Sequence, residues 1–365
     1  MSLHYVTPEP VPDMVQLLTP EGQRVDNPEF EWTFTDDEIR GLYRDLAIVR
    51  RIDVEAMALQ RQGELGIWAS CLGQEAAQIG SGRALSPNDM AFPTYRETGV
   101  AWCRGIDPLD LTAAWRGLNY GGWDPIEKKF NLYTIVIGSQ TLHAVGYAMG
   151  VQKDHADDAV IAYFGDGASS QGDVNEAFIF AASYDAPVVF FCQNNQYAIS
   201  EPFSRQSRVP LYHRAEGFGF RGIRVDGNDV LACLAVTRYA LEECRTGNGP
   251  VLVEAYTYRM SAHTSNDDPT RYRLAAEVEE WTLRDPIERV KAYLVRNGHV
   301  TQSFFDEIDA EGNEIATRLR AGTLAMEPPA LEEMFDWAYA EQTDLLTKQR
   351  KDFVDYKASF VSEEA

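Results

Sequence analysis

From residue 133 onward, short runs of β-branched and aromatic residues alternate with amphipathic stretches. In order they are YTIVIG, TLHAVGYAMGVQ, AVIAYF, DVNEAFIFAASYD, APVVFFCQN, GIRV, LACLAVTRYALEECR and PVLVEAYTYR. A strand that is apolar at nearly every position is buried on both faces, and a helical segment between two such strands is long enough to cross from one to a parallel neighbour. The pattern predicts an α/β fold: a parallel sheet with helices on both faces.

Around this core the chain reads in three parts. Pro8, Pro10, Pro12, Pro20 and Pro28 lock φ and remove donors, so residues 1–34 are expected to form an extended arm rather than a domain. TDDE at Thr35–Glu38 has the form of a capping box, and Ile39, Leu42, Leu46 and Val49 follow at helical spacing, so a long helix opens the α/β domain, read as 35–300. Residues 301–365 read as a helical, charged C-terminal region, with Pro328 and Pro329 before a last helix. Arm and tail are candidates for subunit contacts.

The 365 residues, 45% of them hydrophobic, are enough for one large core with extensions. A net charge of -23, from 56 acidic against 33 basic residues, repels polyanions and argues against a nucleic-acid partner. Five widely spaced cysteines without a CxxC pair fit neither a disulfide framework nor a zinc site. The first residues lack a basic segment followed by an apolar one, and no run approaches a membrane span, so the expected location is cytoplasmic, with no membrane partner.

Ligands of open α/β sheets sit beyond the carboxyl ends of strands, where Gly165-Asp166-Gly167 and Asn194-Asn195 both fall. Two glycines give a sharp turn and close backbone approach, and the helix after them points free N–H groups at an anion. The dinucleotide fingerprint fails, because Ser170 stands at its third glycine and the next strand ends in Gln193-Asn194-Asn195 rather than an acid. A P-loop lysine is also missing. Mg²⁺ takes one or two protein oxygens plus phosphates, and Asp166, Asn195 and the carbonyl of Tyr197 can provide the protein share. Singly, Asp166 would be read as a helix cap and the asparagines as a turn; their shared spacing favours the metal.

GDG followed by NN at this separation looks like the thiamine diphosphate motif. YFGDGASSQGDVNEAFIFAASYDAPVVFFCQNNQYAIS resembles the α subunit of the decarboxylating first component of 2-oxo acid dehydrogenase complexes. So do GQEA at Gly73, FPTYRETGV at Phe92, IVIGSQ at Ile135 and YRMSAHTSNDDPTRYR at Tyr258. The resemblance implies that Asp166, Asn195 and the Tyr197 carbonyl ligate Mg²⁺, with Gly167 and Ala168 against the diphosphate. It implies that Tyr95, Arg96 and His263 contact the diphosphate, with His263 the candidate catalytic residue; a guanidinium fork suits phosphate. The carbonyl of Ile135 and the N–H of Ile137 would hydrogen-bond the aminopyrimidine, with the Ile137 side chain bending the cofactor. Two departures stand out: Gln193 occupies a position where branched-chain members often carry arginine, and Thr264 falls where animal members carry a regulatory phosphoserine.

By the same resemblance the activity is oxidative decarboxylation of a small 2-oxo acid, the acyl group passing to the lipoyl group of a dihydrolipoyl acyltransferase. The chain is too short for a second, pyrimidine-binding domain, so a β subunit is implied, in an α₂β₂ heterotetramer. NNQYAIS and the double aspartate of SNDDPTRYR look more like branched-chain members, favouring 3-methyl-2-oxobutanoate over pyruvate or acetoin. A reading of a different class is a non-catalytic α/β protein that binds a phosphorylated ligand with Mg²⁺.

Overall fold

The structure, a computed structural model, describes residues 14–118 and 121–361. Its centre is a six-stranded parallel sheet in the order β1-β7-β8-β4-β3-β2. The strands are β1 (Met14–Val15), β2 (Met90–Phe92), β3 (Val160–Gly165), β4 (Val188–Asn194), β7 (Arg221–Asp226) and β8 (Val251–Tyr256). Between β4 and β7 a short antiparallel hairpin is formed by β5 (Tyr197–Ala198) and β6 (Glu201–Pro202).

The two-residue period of a strand divides the apolar runs between two layers. In β3, Ile161 and Tyr163 join one core, with helices α1 (Asp36–Arg61), α2 (Glu75–Ala84) and Val230–Arg245. Val160, Ala162 and Phe164 join another, under helices Ser139–Lys153 and Gly172–Tyr184. All seven residues of β4 are buried, as a central strand covered on both sides requires.

One predicted strand is absent. YTIVIG forms a loop that ends at Gly138 in the left-handed region (φ 89°), and Ile135, Val136 and Ile137 are 52%, 70% and 42% exposed. The run is apolar like its neighbours, but its three aliphatic side chains are exposed beside a cleft. Long α1 opens as expected, with Thr35 Oγ1 accepting from the Glu38 N–H at 3.2 Å. Only half of the box closes, because the Glu38 carboxylate pairs with Arg238.

Residues 14–34 behave differently from a free arm. β1 pairs in parallel with β7, and Leu17 and Leu18 are fully buried, their N–H groups donating to Asp229 Oδ2 at 2.7 and 2.6 Å. The prolines at 8, 10 and 12 lie outside the described residues. At the other end, helix Gln302–Ala325 packs on α1 through Leu319, beside Ile48 and Ile52, and Glu311 accepts from Arg44 Nε at 2.8 Å. The compact unit thus continues to Leu324, past the boundary read at residue 300.

A second unit begins at Ala325. Within it the expected last helix divides into a 3-10 turn, Leu331–Phe335, and a helix, Asp344–Val361. They are joined by Arg350 on Asp336 (2.6 Å) and by Phe335 on Phe353. Among the described residues no helix is long and apolar enough to cross a membrane.

Candidate active site

Central strands β3 and β4 lie in register with Gly165 opposite Gln193, so the chain leaves both at the same edge of the sheet. After β3 it makes a 3-10 turn over Asp166–Ser170; after β4 it enters the β5–β6 hairpin. A cleft of about 250 Å³ opens between them, lined also by residues 94–97, Ile137, Arg259 and His263. Gly167 is required by crowding: a Cβ there would stand 2.8 Å from Ala198 Cβ. Gly73 of the GQEA stretch is required by both its φ of +93° and the Tyr258 carbonyl, 2.3 Å from where its Cβ would be.

Every residue predicted from the sequence lines this cleft except Ile135, which lies at its exposed edge. Asp166 is not a helix cap, since Gln171 caps the following helix through a 2.8 Å bond to the Asp173 N–H. It is instead buried at one corner of the cleft. There the Asn195 amide oxygen faces the Tyr197 carbonyl at 3.2 Å and Asp166 Oδ1 at 3.3 Å. Three acceptors facing one another repel. Either the amide turns over to donate to both, or a cation lies among them. Octahedral Mg²⁺, with bonds of about 2.0–2.1 Å, keeps neighbouring ligands about 3 Å apart, so this spacing fits the metal. Among the described residues no group of three His, Cys, Asp or Glu is placed to hold a metal ion. One carboxylate with two neutral oxygens suits a cation that takes its other ligands from phosphate.

Burial pushes the Asp166 carboxyl up to about 6, against a hydrogen bond from Gln206 that favours the ionised form. A cation in the corner would reverse that shift.

Two buried guanidinium groups also face the cleft. Arg96 is 6% exposed and donates to the carbonyls of Ser70 (2.7 Å) and His263 (2.8 Å). Arg259 is fully buried and donates to the carbonyls of Tyr197 (2.9 Å) and Ile199 (2.6 Å) and to the Tyr272 hydroxyl. Neither guanidinium reaches a carboxylate through these bonds, although a buried charge is costly unless paired. The set is therefore suited to a multiply charged anion such as a diphosphate.

His263 stands between them, with Nδ1 3.3 Å from Arg96 Nη2 and 3.5 Å from Arg259 Nη1. Burial first, and then the two arginines, lower its pKa to about 4, so the ring is neutral at pH 7. Because both neighbours can only donate, Nδ1 is the acceptor and the ring proton sits on Nε2. Tyr95 packs edge-on against His263 and under the Arg96 guanidinium.

Gln193 sits 2% exposed, donating to Glu97 Oε1 at 2.6 Å and accepting from Gln78 Nε2 at 3.1 Å. At this position a neutral amide meets the buried Glu97, whose carboxyl is pushed up by desolvation. The Ile135 carbonyl and the Ile137 N–H enter no hydrogen bond among the described residues. Sequence reasoning missed Arg259 and Gln74, which line the cleft, and Gln206, which bonds Asp166 from behind. Arg259 lies inside the quoted YRMSAH stretch, and Gln74 is the Q of GQEA; nothing local marks Gln206.

Comparison with known proteins accords with this geometry. The sequence model of the dehydrogenase E1 component family matches residues 43–318. A 3-methyl-2-oxobutanoate dehydrogenase subunit alpha from Mycobacterium tuberculosis is 44% identical over 338 residues, 92% of either chain. A pyruvate dehydrogenase E1 component subunit alpha from Acholeplasma laidlawii is 35% identical over 342 residues, 92% of this chain and 98% of the relative. One from Staphylococcus epidermidis is 35% identical over 92% of this chain and 91% of its own.

Proposed function

Because the chain belongs to the dehydrogenase E1 component family, we propose that it is the α subunit of a branched-chain 2-oxo acid dehydrogenase, decarboxylating 3-methyl-2-oxobutanoate and its homologues. It uses thiamine diphosphate and Mg²⁺, pairs with a β subunit, and passes the acyl group to the lipoyl-bearing acyltransferase. The observation that carries the chemistry is the acceptor corner of Asp166, Asn195 and Tyr197 beside two buried arginines whose hydrogen bonds go to carbonyls, a hydroxyl and a histidine rather than to a carboxylate. Branched-chain substrates are favoured by the higher identity to the M. tuberculosis subunit alpha, 44% against 35% for the pyruvate relatives. Unpaired thiols at all five cysteines support a reducing compartment, and we assign the protein to the cytoplasm.

Asp166, Asn195 and the Tyr197 carbonyl would hold Mg²⁺; Gly167 and Ala168 would lie against the diphosphate, with Tyr95, Arg96 and His263 around it. When bound, the thiazolium of the cofactor supplies the electron sink for loss of CO₂. The protein's own part is to orient and to exclude water. Burial, with Arg96 and Arg259 beside it, keeps His263 neutral, so its Nε2–H serves as an uncharged donor that does not become a further cation in the cleft. The Ile135 carbonyl and Ile137 N–H offer an acceptor and a donor to the aminopyrimidine, and their exposed side chains leave this edge open for the β subunit.

The test is co-expression with the β subunit, followed by CO₂ release from 3-methyl-2-oxobutanoate and from pyruvate with thiamine diphosphate and Mg²⁺ present. The branched substrate should give the higher kcat/KM. A folded tetramer inert toward both would reduce the protein to a Mg²⁺-dependent phospholigand binder, and a preference for pyruvate would overturn the substrate assignment.

A further inference from the structure

Two glutamines hold the metal corner from behind. Gln206 Nε2 donates to Asp166 Oδ2 at 2.8 Å, leaving Oδ1 as the oxygen that faces Asn195. Asn195 Nδ2 donates to Gln74 Oε1 at 3.0 Å, so the Asn195 oxygen points into the corner. Each amide is left with one buried atom that has no partner: Gln206 Oε1, an acceptor, and Gln74 Nε2, a donor. Gln74 is fully buried and lines the cleft, and Gln206 lies behind Asp166, next to Gly167.

The orientations follow from one another. If Asn195 presents oxygen to a cation, its nitrogen must face Gln74. Gln74 must then offer Oε1 to that nitrogen, and its own N–H group is turned outward as a free donor. On the other side, Gln206 must give its N–H to the carboxylate, and its oxygen remains. That oxygen lies 3.9 Å from where a Gly167 Cβ would be, beside the backbone read as facing the diphosphate. An unsatisfied buried donor and acceptor are costly in the empty protein, and cofactor phosphate and metal-bound water would satisfy them.

Resting on the reading of Asp166, Asn195 and Tyr197 as the Mg²⁺ corner, we propose that Gln206 and Gln74 are its positioning residues. Gln206 fixes the Asp166 carboxylate to ligate through Oδ1 and accepts from a water on the metal. Gln74 fixes the Asn195 amide and donates Nε2–H to a diphosphate oxygen.

The experiment uses assembled tetramers carrying Gln206→Met or Gln74→Met, which keep side-chain length but remove both amide functions. Mn²⁺ serves as a paramagnetic probe of metal binding, and calorimetry measures thiamine diphosphate at saturating Mg²⁺. Losing an outer-shell partner of a metal ligand costs about 10- to 100-fold in metal affinity. Gln206→Met should raise the Mn²⁺ dissociation constant by about tenfold or more, with thiamine diphosphate affinity recovering as Mg²⁺ is raised. Gln74→Met should weaken thiamine diphosphate by about tenfold at saturating Mg²⁺, and added metal should not restore it. Both variants should melt within a few degrees of the wild type without cofactor. If either methionine variant fails to assemble, Gln206→Asn and Gln74→Asn set the amide back by one methylene and should show the same losses. Affinities within twofold of the wild type overturn the proposal, while a wild-type tetramer that binds neither Mn²⁺ nor thiamine diphosphate overturns the functional reading beneath it.

Discussion

Removing the Arg96 side chain tests whether the cleft is built around an anion. A guanidinium carries five N–H groups. In this structure its hydrogen bonds go to the Ser70 carbonyl, the His263 carbonyl and His263 Nδ1. Two N–H groups remain for a ligand. One charged hydrogen bond contributes about 1.5–3 kcal/mol, and each 1.4 kcal/mol is tenfold, so Arg96→Ala should weaken thiamine diphosphate by about 10- to 150-fold. Calorimetry on the tetramer at saturating Mg²⁺ reads this directly, and Arg96→Lys, which keeps the charge and loses the fork, should fall between. A second signature comes from His263, whose pKa of about 4 lies below its ordinary 6.5. A depressed histidine binds fewer protons folded than unfolded, so it adds stability above pH 6.5 that is lost as pH falls toward 4. Without Arg96, the second cause of that depression after burial, the stability loss over this window should become shallower. An affinity within twofold of the wild type, together with an unchanged pH profile, would refute the assignment of Arg96 as the diphosphate clamp.

Two further changes bear on the same cleft. Asp166, raised from 3.8 to about 6, weakens the cofactor-free fold as pH rises through that interval, because the unfolded carboxyl ionises more easily. Asp166→Asn should therefore melt at or above the wild type at pH 8 without cofactor, yet lose the rise in Tm produced by Mg²⁺ and thiamine diphosphate. A retained rise would remove Asp166 from the metal. Gly167→Ala would drive a methyl to 2.8 Å from Ala198 Cβ and displace the hairpin that carries the Tyr197 carbonyl. Cofactor binding should weaken by up to about a hundredfold, and adding Ala198→Gly should restore it; failure of the double variant to recover would show that crowding is not the constraint.

Which parts were legible in the sequence has a physical pattern. Strands β3, β4 and β8 could be read because a doubly covered strand is apolar at nearly every position. The loop at Tyr133–Gly138 satisfies the same rule and breaks it, since its three aliphatic side chains are exposed beside the cleft rather than buried. Residues 14–34 were read as an extended arm from their prolines, while what fastens them is Leu17-Leu18, whose N–H groups bond Asp229 more than two hundred residues away. At the site, charged or glycine positions with fixed spacing could be recognised. Gln74 and Gln206 could not, because an amide takes its meaning from whichever group it faces.

Those amides also explain how one cleft holds opposite charges without neutralising itself. Asp166 is buried without a cation bonded to it, and Arg96 and Arg259 are buried without a bonded carboxylate, within one cleft. Direct pairing would close the site. Instead Gln206 covers one Asp166 oxygen, Asn195 faces the other, and Arg259 spreads its N–H groups over carbonyls and a hydroxyl. A ligand that brings a cation for Asp166 and an anion for the arginines relieves both sets at once, whereas either ion alone relieves one and adds to the imbalance. Mg²⁺ and pyrophosphate should therefore bind the tetramer cooperatively, each raising the other's affinity by the same factor. Calorimetric titration of pyrophosphate with and without Mg²⁺, and of Mg²⁺ with and without pyrophosphate, measures that factor after correction for the complex they form in solution. A factor of one would mean that the two halves of the cleft do not share a ligand, and the arginines would need another partner.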